Sequence, residues 1–213
     1  MADIRHHYLP LPPVIKLLLI SNGVIFLLEM LYANFLLGNF ALWPLAPDRM
    51  FALDTQLHEF MPWQLISYGF LHGSLTHLLV NMYALWLFGV ALENLWGSRT
   101  FAIYYLVCVI GAGITQIVTS SIGGDYYPTI GASGGVFGIL LAFGLFFPNR
   151  VLILLIPPMP IKAKWLVIIY GAIELWFGVT GTATGVAHFA HLGGMLFGLL
   201  LIYYWKQHPP VKR

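Results

Sequence analysis

Two short motifs in this chain carry side chains that could act together as a nucleophile and its base. Gly131-Ala132-Ser133-Gly134 opens one long apolar run, and Ala190-His191-Leu192-Gly193-Gly194 opens the last one. The small neighbours of Ser133 leave its hydroxyl uncrowded, so that a peptide carbonyl could approach it. Serine is a weak nucleophile unless a base takes its proton, and imidazole, which titrates near neutral pH, suits that role. The pair predicts a peptide-cleaving site inside a membrane.

Two histidines at the start of the last apolar run could serve as this base. His188 lies three residues before His191 and shares its helix face, so spacing alone leaves both open. Gly194 and Gly198 follow His191 by three and seven residues and form a small-residue face on its side. Because such a face lets the last span pack tightly against the span of Ser133, we assign His191 as the base and expect His188 at the water boundary.

A further polar pair, His77 and Asn81, lies in the first turns of another apolar run. The two residues are four positions apart, hence about 6 Å along one helix face. Asparagine supplies uncharged N–H donors of the type that stabilises an oxyanion, and the backbone N–H of Ser133 at a helix start is a natural second donor. His77 could donate directly or hold a water. A polar clamp between helices is the alternative role for both side chains.

No carboxylate is expected beside the histidine. Glu29, Glu93 and Glu174 occur in apolar runs, but Glu93 falls at the opposite end of its run and Glu174 falls more than one turn deeper than the site. We therefore predict a Ser–His dyad. Phe137, one turn after the serine, is expected to orient the imidazole by packing against it.

Composition places these motifs in a membrane. Of the 213 residues, 59% are hydrophobic and 8% are charged, whereas soluble domains carry about 25% charged residues. The chain is therefore predicted to be a polytopic membrane protein. Its net charge of +2 gives no indication of nucleic-acid binding.

Six apolar runs are predicted to form membrane-spanning helices, which need about 20 residues each. They cover Val14–Leu37, Ser74–Trp96, Thr100–Ile122, Ala132–Phe147, Lys164–Gly178 and His188–Trp205. The prolines of Pro148–Ala163 exclude a continuous helix there, although Val151–Ile156 is apolar enough to lie at the membrane face. We expect an all-α bundle that forms a single domain over residues 1–213, with a core at about 51–206.

The connection between the first two spans is unusually long. Gly38–Leu71 is longer than most bundle loops, which favours a functional role. It is also too apolar for a solvated tail and carries Trp43 and Trp63. We expect it to lie partly in the outer leaflet, with a poorly ordered loop as the alternative.

The basic residues orient the bundle. With a cytoplasmic amino terminus, nine of the ten Lys and Arg residues fall on the cytoplasmic side and only Arg49 falls outside. This is the positive-inside pattern, so both termini are predicted to be cytoplasmic. Ser133, the pair His188 and His191, and the pair His77 and Asn81 then lie at one depth just below the outer surface. Ionisable groups are costly at that depth and mark function. The nine residues are Arg5, Lys16, Arg99, Arg150, Lys162, Lys164, Lys206, Lys212 and Arg213.

Taken together, these motifs resemble the rhomboid family of intramembrane serine proteases. The resemblance runs from about Phe51 to the end of the sixth span and keeps the family's motif order. It implies a six-helix rhomboid-like bundle, a Ser–His dyad, no cofactor or metal, and cleavage of transmembrane proteins near the outer membrane face. The matching blocks are Gly131 to Gly134, His72 to His77 with Asn81, Ala190-His191 to Gly194 and Gly198, and Glu93 with Gly97.

By this match Ser133 is the nucleophile, His191 is the base, and Asn81 and His77 line the oxyanion hole. Trp176-Phe177 look like the family's lateral substrate entrance. The expected partners are single-span transmembrane substrates and the lipid bilayer, without nucleic acid or metal, in a bacterial inner membrane.

The sequence departs from the family pattern at two positions. Phe137 stands where many relatives have tyrosine, which removes a possible hydrogen bond but keeps the ring. Trp63-Gln64 stands where the outer loop usually has Trp-Arg.

Two other functions remain open at this point. His72, His77, His188 and His191 are four imidazoles at one predicted depth, which could bind a metal or haem, and a coloured purified protein would favour that reading. A non-catalytic rhomboid-like protein that binds membrane clients would share the fold. Labelling of Ser133 by a serine-directed inhibitor would distinguish the protease from this second alternative.

Overall fold

The computed structural model of the chain describes residues 9–45, 58–154, 158–182 and 185–210. Five of the helices in these ranges are long and apolar enough to cross a membrane, and a sixth apolar helix has 14 residues. This confirms the predicted all-α polytopic fold, and each predicted span overlaps one of these six helices. The helices are α1 (Pro13–Phe40), α2 (Gln64–Ser67), α3 (Leu75–Trp96), α4 (Ser98–Gly123), α5 (Ser133–Phe146), α6 (Ala163–Thr180) and α7 (His188–Gln207).

The short helix α5 lies at the centre of the bundle. It packs against α3, α4, α6 and α7, and most of its residues are buried. Its sequence is apolar on every side, which is typical of a helix enclosed by protein. A helix in this position need not match the bilayer thickness with its own length.

Glycines bring α7 into direct backbone contact with α5. A Cβ atom on Gly194 would collide with the carbonyl of Gly134, so only glycine fits at this crossing. The predicted tight packing of the sixth span on the serine's span is thereby confirmed for Gly194. Gly198 instead faces α4, where a Cβ would collide with the hydroxyl of Tyr104. The small-residue face of α7 therefore serves two neighbouring helices.

A buried carboxylate fastens three helices at the end of the bundle opposite Ser133. Glu93, in the last turn of α3, accepts hydrogen bonds from the backbone N–H groups of Val14 (2.9 Å) and Ile15 (2.8 Å) at the start of α1. The hydroxyl of Ser98 at the start of α4 donates to the same carboxylate at 2.6 Å. Unpaired N–H groups at a helix start favour an anion, which accounts for Glu93 in an apolar run.

The described part of the connection between α1 and α3 packs onto the end of the bundle at which α5 begins. Leu42 pairs with Thr129 through two backbone hydrogen bonds of 2.9 Å. Gln64 is buried, and its Oε1 accepts from the backbone N–H groups of Trp43 and Met61, each at 3.2 Å. The neutral amide that replaces the family's arginine therefore anchors the loop. Its position in the outer leaflet stays a prediction.

The segment between α5 and α6 forms a hairpin that the sequence analysis missed. Strand β1 (Val151–Ile153) pairs with β2 (Pro160–Lys162) in an antiparallel arrangement. The prediction that no continuous helix forms here is confirmed, and residues 155–157 lie outside the described part. Both strands are short and largely exposed, and no strand-like alternation marks them in the sequence.

Three basic residues of the described part sit at the ends of helices that the bundle brings to one side. Lys16 lies in the first turn of α1, Arg99 in the first turn of α4, and Lys206 in the last turn of α7. Because successive spans alternate in direction, these ends share a side of the bundle. Arg5, Arg49, Lys212 and Arg213 lie outside the described residues, and the cytoplasmic assignment stays a prediction.

Candidate active site

Ser133 and His191 meet where α5 begins. The hydroxyl oxygen of Ser133 lies 2.7 Å from Nε2 of His191, which is hydrogen-bond distance. Ser133 is the first residue of α5, and His191 lies in the first turn of α7. The contact of Gly194 with Gly134 draws the two backbones together just below this pair. The structure therefore brings the predicted nucleophile and base into contact.

A glycine turn presents the serine. Gly131 has φ +122°, a backbone conformation that favours glycine, and its N–H donates to the carbonyl of Tyr68 at 2.9 Å. The Tyr68 hydroxyl in turn donates to the carbonyl of Val109 at 2.7 Å. The turn that leads into α5 is thus fixed to the core through Tyr68.

The ring of Phe137 covers the imidazole of His191. The two rings stack with centroids 4.2 Å apart and planes 8° apart. Phe137 lies one turn after Ser133 on α5, so the serine hydroxyl and the phenyl ring contact the imidazole from the same helix face. The predicted packing role of Phe137 is confirmed.

A carboxylate also reaches the histidine, and here the sequence analysis was wrong. The Oε2 atom of Glu174 on α6 lies 2.9 Å from Nδ1 of His191 and 2.6 Å from Nδ1 of His188. Glu174 would lie deeper than His191 if the ends of α6 and α7 were level. In fact α6 continues six residues beyond Glu174, whereas α7 begins only three residues before His191. This stagger brings the carboxylate level with the imidazole.

The two histidines contact Glu174 in different ways. His188 makes a hydrogen bond to the carboxylate, whereas Nδ1 of His191 is buried and has no hydrogen-bond partner despite its short distance to Oε2. A separation of 2.9 Å without a hydrogen bond means that the ring N–H direction misses the oxygen. The contact with His191 becomes an ion pair only when the imidazole is protonated. His188 is buried, not placed at a water boundary as its outward position suggested, although it lines a cavity on the outer side.

His77 lies beside the serine turn, and Asn81 lies one turn below it on α3. A Cβ atom on Gly131 would lie 2.8 Å from Nε2 of His77 and 3.7 Å from the Ser133 hydroxyl oxygen, which places this imidazole next to the site. Asn81 is 5% exposed, and its side-chain N–H₂ donates to the carbonyl of His77 at 3.0 Å. An amide has two N–H groups. The second N–H of Asn81 is available to another acceptor.

The two predicted gate residues face different surroundings. Trp176 is 66% exposed on the outside of α6. Phe177 is half-buried, and its ring lies 5.6 Å from that of His188. Only Phe177 of the two lines the neighbouring cavity.

The four histidines that were considered as metal or haem ligands form two pairs. The rings of His72 and His77 lie 4.9 Å apart, and those of His188 and His191 lie 6.4 Å apart. The backbone N–H of His72 donates to both carboxylate oxygens of Glu29, and burial lowers the pKa of its imidazole to about 4, so that it is neutral at neutral pH. Among the described residues, the only cluster with metal-ligand spacing is Glu174 with His188 and His191.

Comparison with known proteins identifies the fold family. A family model described as a rhomboid domain matches residues 59–208. The chain is 32% identical over 148 residues to the presenilin-associated rhomboid-like protein, mitochondrial, of Rattus norvegicus, a match that covers 67% of the chain and 39% of that protein. It is 32% identical over 148 residues to rhomboid protein 1, mitochondrial, of Saccharomyces cerevisiae, covering 66% of the chain and 41% of that protein.

A plant protein gives a similar match. RHOMBOID-like protein 4 of Arabidopsis thaliana is 33% identical over 148 residues, covering 65% of the chain and 33% of that protein. The chain thus spans less than half the length of these curated relatives.

Proposed function

This chain belongs to the rhomboid family, and we propose that it is an intramembrane serine endopeptidase that cleaves transmembrane proteins near the outer membrane face. Ser133 and His191 form its catalytic dyad. The observation that carries the proposal is the 2.7 Å contact between the serine hydroxyl and Nε2 of His191. Both groups lie in the first turns of apolar helices. An ionisable side chain such as that of His191 is costly there, and its presence indicates a function.

The dyad performs acyl transfer in two steps. Nε2 of His191 takes the hydroxyl proton as the oxygen of Ser133 attacks the peptide carbonyl carbon, and the same proton then goes to the leaving amine. In the second step His191 takes a proton from a water that attacks the acyl carbon, and it gives that proton to the oxygen of Ser133 as the second product leaves. Stacking on Phe137 holds the imidazole plane fixed through both steps.

The oxyanion of each tetrahedral intermediate needs donors that are in place beforehand. The backbone N–H of Ser133, at the start of α5, has no partner within the helix. The free N–H of Asn81 and the imidazole of His77 lie on the adjoining face of α3. These three groups form the proposed oxyanion hole.

Glu174 supports the dyad as a positioning residue. Its carboxylate lies 2.9 Å from Nδ1 of His191, so the positive charge that the imidazole gains during catalysis develops next to a negative one. The poor alignment of this contact distinguishes it from the in-line hydrogen bond of an aligned catalytic triad.

Substrates are proposed to be single-span transmembrane proteins that enter from the bilayer between α3 and α6. Helix α6 packs on α5 and α7 within the described part, and α3 is not among its main neighbours, which leaves this side least obstructed. Trp176 and Phe177 near its outer end act as the gate. An extended scissile segment is needed for attack, so helix-breaking residues near the cleavage point favour turnover.

The protein is a multi-pass membrane protein, and we propose that both termini face the cytoplasm. The names of two of the relatives place those proteins in mitochondria, so they lend no support to the expected bacterial inner membrane. Fractionation of cells that express a tagged chain at native level identifies the membrane.

The decisive experiment is covalent labelling of the purified protein by a fluorophosphonate. We expect labelling of the wild type and none of Ser133→Ala or His191→Ala, together with cleavage of single-span substrates by the wild type alone. Client binding without labelling would instead favour a non-catalytic rhomboid-like protein.

A further inference from the structure

Three ligating side chains converge on one point behind the dyad. The carboxylate oxygen Oε2 of Glu174 lies 2.6 Å from Nδ1 of His188 and 2.9 Å from Nδ1 of His191. The three donor atoms all lie within 4.8 Å of one another, and the three side chains are only 8–10% exposed. They come from two helices, so the cluster is a product of the fold and not of local spacing.

One of the three possible metal-ligand atoms has no hydrogen-bond partner. Nδ1 of His191 is fully buried and makes no hydrogen bond, although polar atoms in protein interiors almost always do. Oε2 of Glu174 is close to this nitrogen but lies out of line with the ring N–H direction. Ligands of a common metal ion direct their lone pairs at the ion and not at one another, and the unaligned contact of His191 with Glu174 fits that arrangement.

The donor set suits zinc. Zn²⁺ binds imidazole nitrogen and carboxylate oxygen at about 2.0–2.2 Å in tetrahedral geometry, which sets the ligand atoms about 3.3 Å apart. The two contacts of Glu174 are shorter than this by less than about 1 Å. Small side-chain rotations therefore open the cluster to an ion, with a water or substrate oxygen as the fourth ligand.

We propose that Glu174, His188 and His191 form an inhibitory binding site for Zn²⁺ or a similar divalent transition-metal ion. Binding requires only these side chains, whereas inhibition rests on the proposed function of the dyad. A metal ion on Nδ1 of His191 leaves the ring proton on Nε2. That nitrogen then donates to the hydroxyl of Ser133 and cannot accept its proton. The ion switches off the base without touching the nucleophile.

An ion can reach the cluster from the outer side. A cavity of about 450 Å³ lies between the outer ends of α4, α6 and α7, and His188 forms part of its wall. Asp125 also lines the cavity, and no Lys or Arg is found among the described lining residues. This lining favours entry of a cation over that of an anion.

Inhibition is tested by titrating Zn²⁺ into the full chain, purified without a histidine tag and assayed on a single-span substrate. The reference is turnover in the presence of a chelator, which we expect to be full because the reaction needs no metal. Saturating Zn²⁺ should lower the turnover of the wild type by about tenfold or more, and chelator should restore it. The inhibition of His188→Ala is measured relative to its own turnover in chelator. This variant should need at least about tenfold more Zn²⁺ for half-maximal inhibition, because loss of even a residue that only hydrogen-bonds to a metal ligand weakens metal binding by that much.

His208→Ala is the matched control, since His208 follows the far end of the same helix and should leave the inhibition unchanged. If His188→Ala unfolds, His188→Gln replaces it, because its amide can keep a hydrogen bond to Glu174. Equal zinc sensitivity of the wild type and the His188 variant would overturn the site. So would the absence of any inhibition.

Binding is measured separately, so that failure of the two proposals can be distinguished. Calorimetric titration of Ser133→Ala with Zn²⁺ should show a binding event that Ser133→Ala/His188→Ala lacks. Loss of that difference overturns the metal site whatever the enzymatic activity. A second outcome is also possible: the metal binds, but the wild type neither cleaves substrate nor reacts with a fluorophosphonate. That result overturns the proposed function and leaves the metal site standing.

Discussion

Helices α7 and α6 each bring an ionisable side chain to the serine, but the bundle holds them very differently. On α7, a Cβ atom at Gly193 or Gly194 would collide with α4 or α5. On α6, a Cβ at Gly171 would meet only the end of Met195 at 3.5 Å, an ordinary contact. Beyond Val167, the only buried residue of α6 is Glu174. The proposed base is therefore carried by a helix in close backbone contact with its neighbours, and the supporting carboxylate is carried by a more loosely packed helix.

The largest effect is expected from substitutions in the proposed dyad. Ser133→Ala, His191→Ala and the double variant should each lower kcat/KM by on the order of 10⁴-fold or more, and by similar amounts, because members of one relay are not additive. His188→Ala should keep substantial activity. Kinetics on the four variants checks this. An essential His188 with a dispensable His191 would show that the base is misassigned.

Asn81, on α3, is proposed to act only in the transition state. Asn81→Ala should lower kcat by about 10²–10³-fold with little change in KM, the usual cost of losing one oxyanion donor. His77→Ala should do the same more weakly. Thermal unfolding of the same preparation is the control, since an unstable but fully active Asn81→Ala would mean that the side chain only clamps helices.

The packing contrast itself is tested by adding one methyl group to each helix. Gly194→Ala should lower the free energy of unfolding by about 1–3 kcal/mol, because the methyl group has no space against the carbonyl of Gly134. Gly171→Ala on α6 should be neutral or slightly stabilising, since it meets no close neighbour and removes a flexible residue from a helix. Equal losses of stability in denaturant titrations would contradict the contrast between the two helices.

The smallest effect is expected from the carboxylate on the loosely packed helix. Glu174→Gln should lower kcat on the order of tenfold, because it removes a poorly aligned charge and not an in-line hydrogen bond, whose loss costs about 10⁴-fold in an aligned triad. KM and the melting temperature should change little. Glu29→Gln is the matched control, a buried carboxylate on α1 that should affect stability and leave kcat unchanged. A fall in kcat as large as that of His191→Ala would make Glu174 a full member of the catalytic unit.

The sequence indicated those features that depend on one helix at a time. Each predicted span overlaps an observed helix, and the contact of Ser133 with His191 follows from two motifs that each mark the start of a helix. Glu174 was missed because its place depends on the stagger between α6 and α7, a relation between two helices that no spacing within either one encodes. The partner of Gly198 was assigned to the wrong helix for the same reason.

Two local features were missed for other reasons. The hairpin of β1 and β2 forms from a short apolar run broken by prolines, where no alternation of polar and apolar residues indicates strands. Gln64 lacks the charge that the family pattern suggests, and its anchoring role became visible only through its hydrogen bonds to the loop backbone.

The separation of the dyad along the chain has a consequence for biosynthesis. Ser133 and His191 are 58 residues apart, and the base lies on the last described helix. During synthesis the helix that carries the nucleophile is complete before the ribosome reaches the codon for His191. Under the proposed function, a nascent chain in the membrane has a serine without a base, and it becomes catalytically competent only when α7 docks against α5.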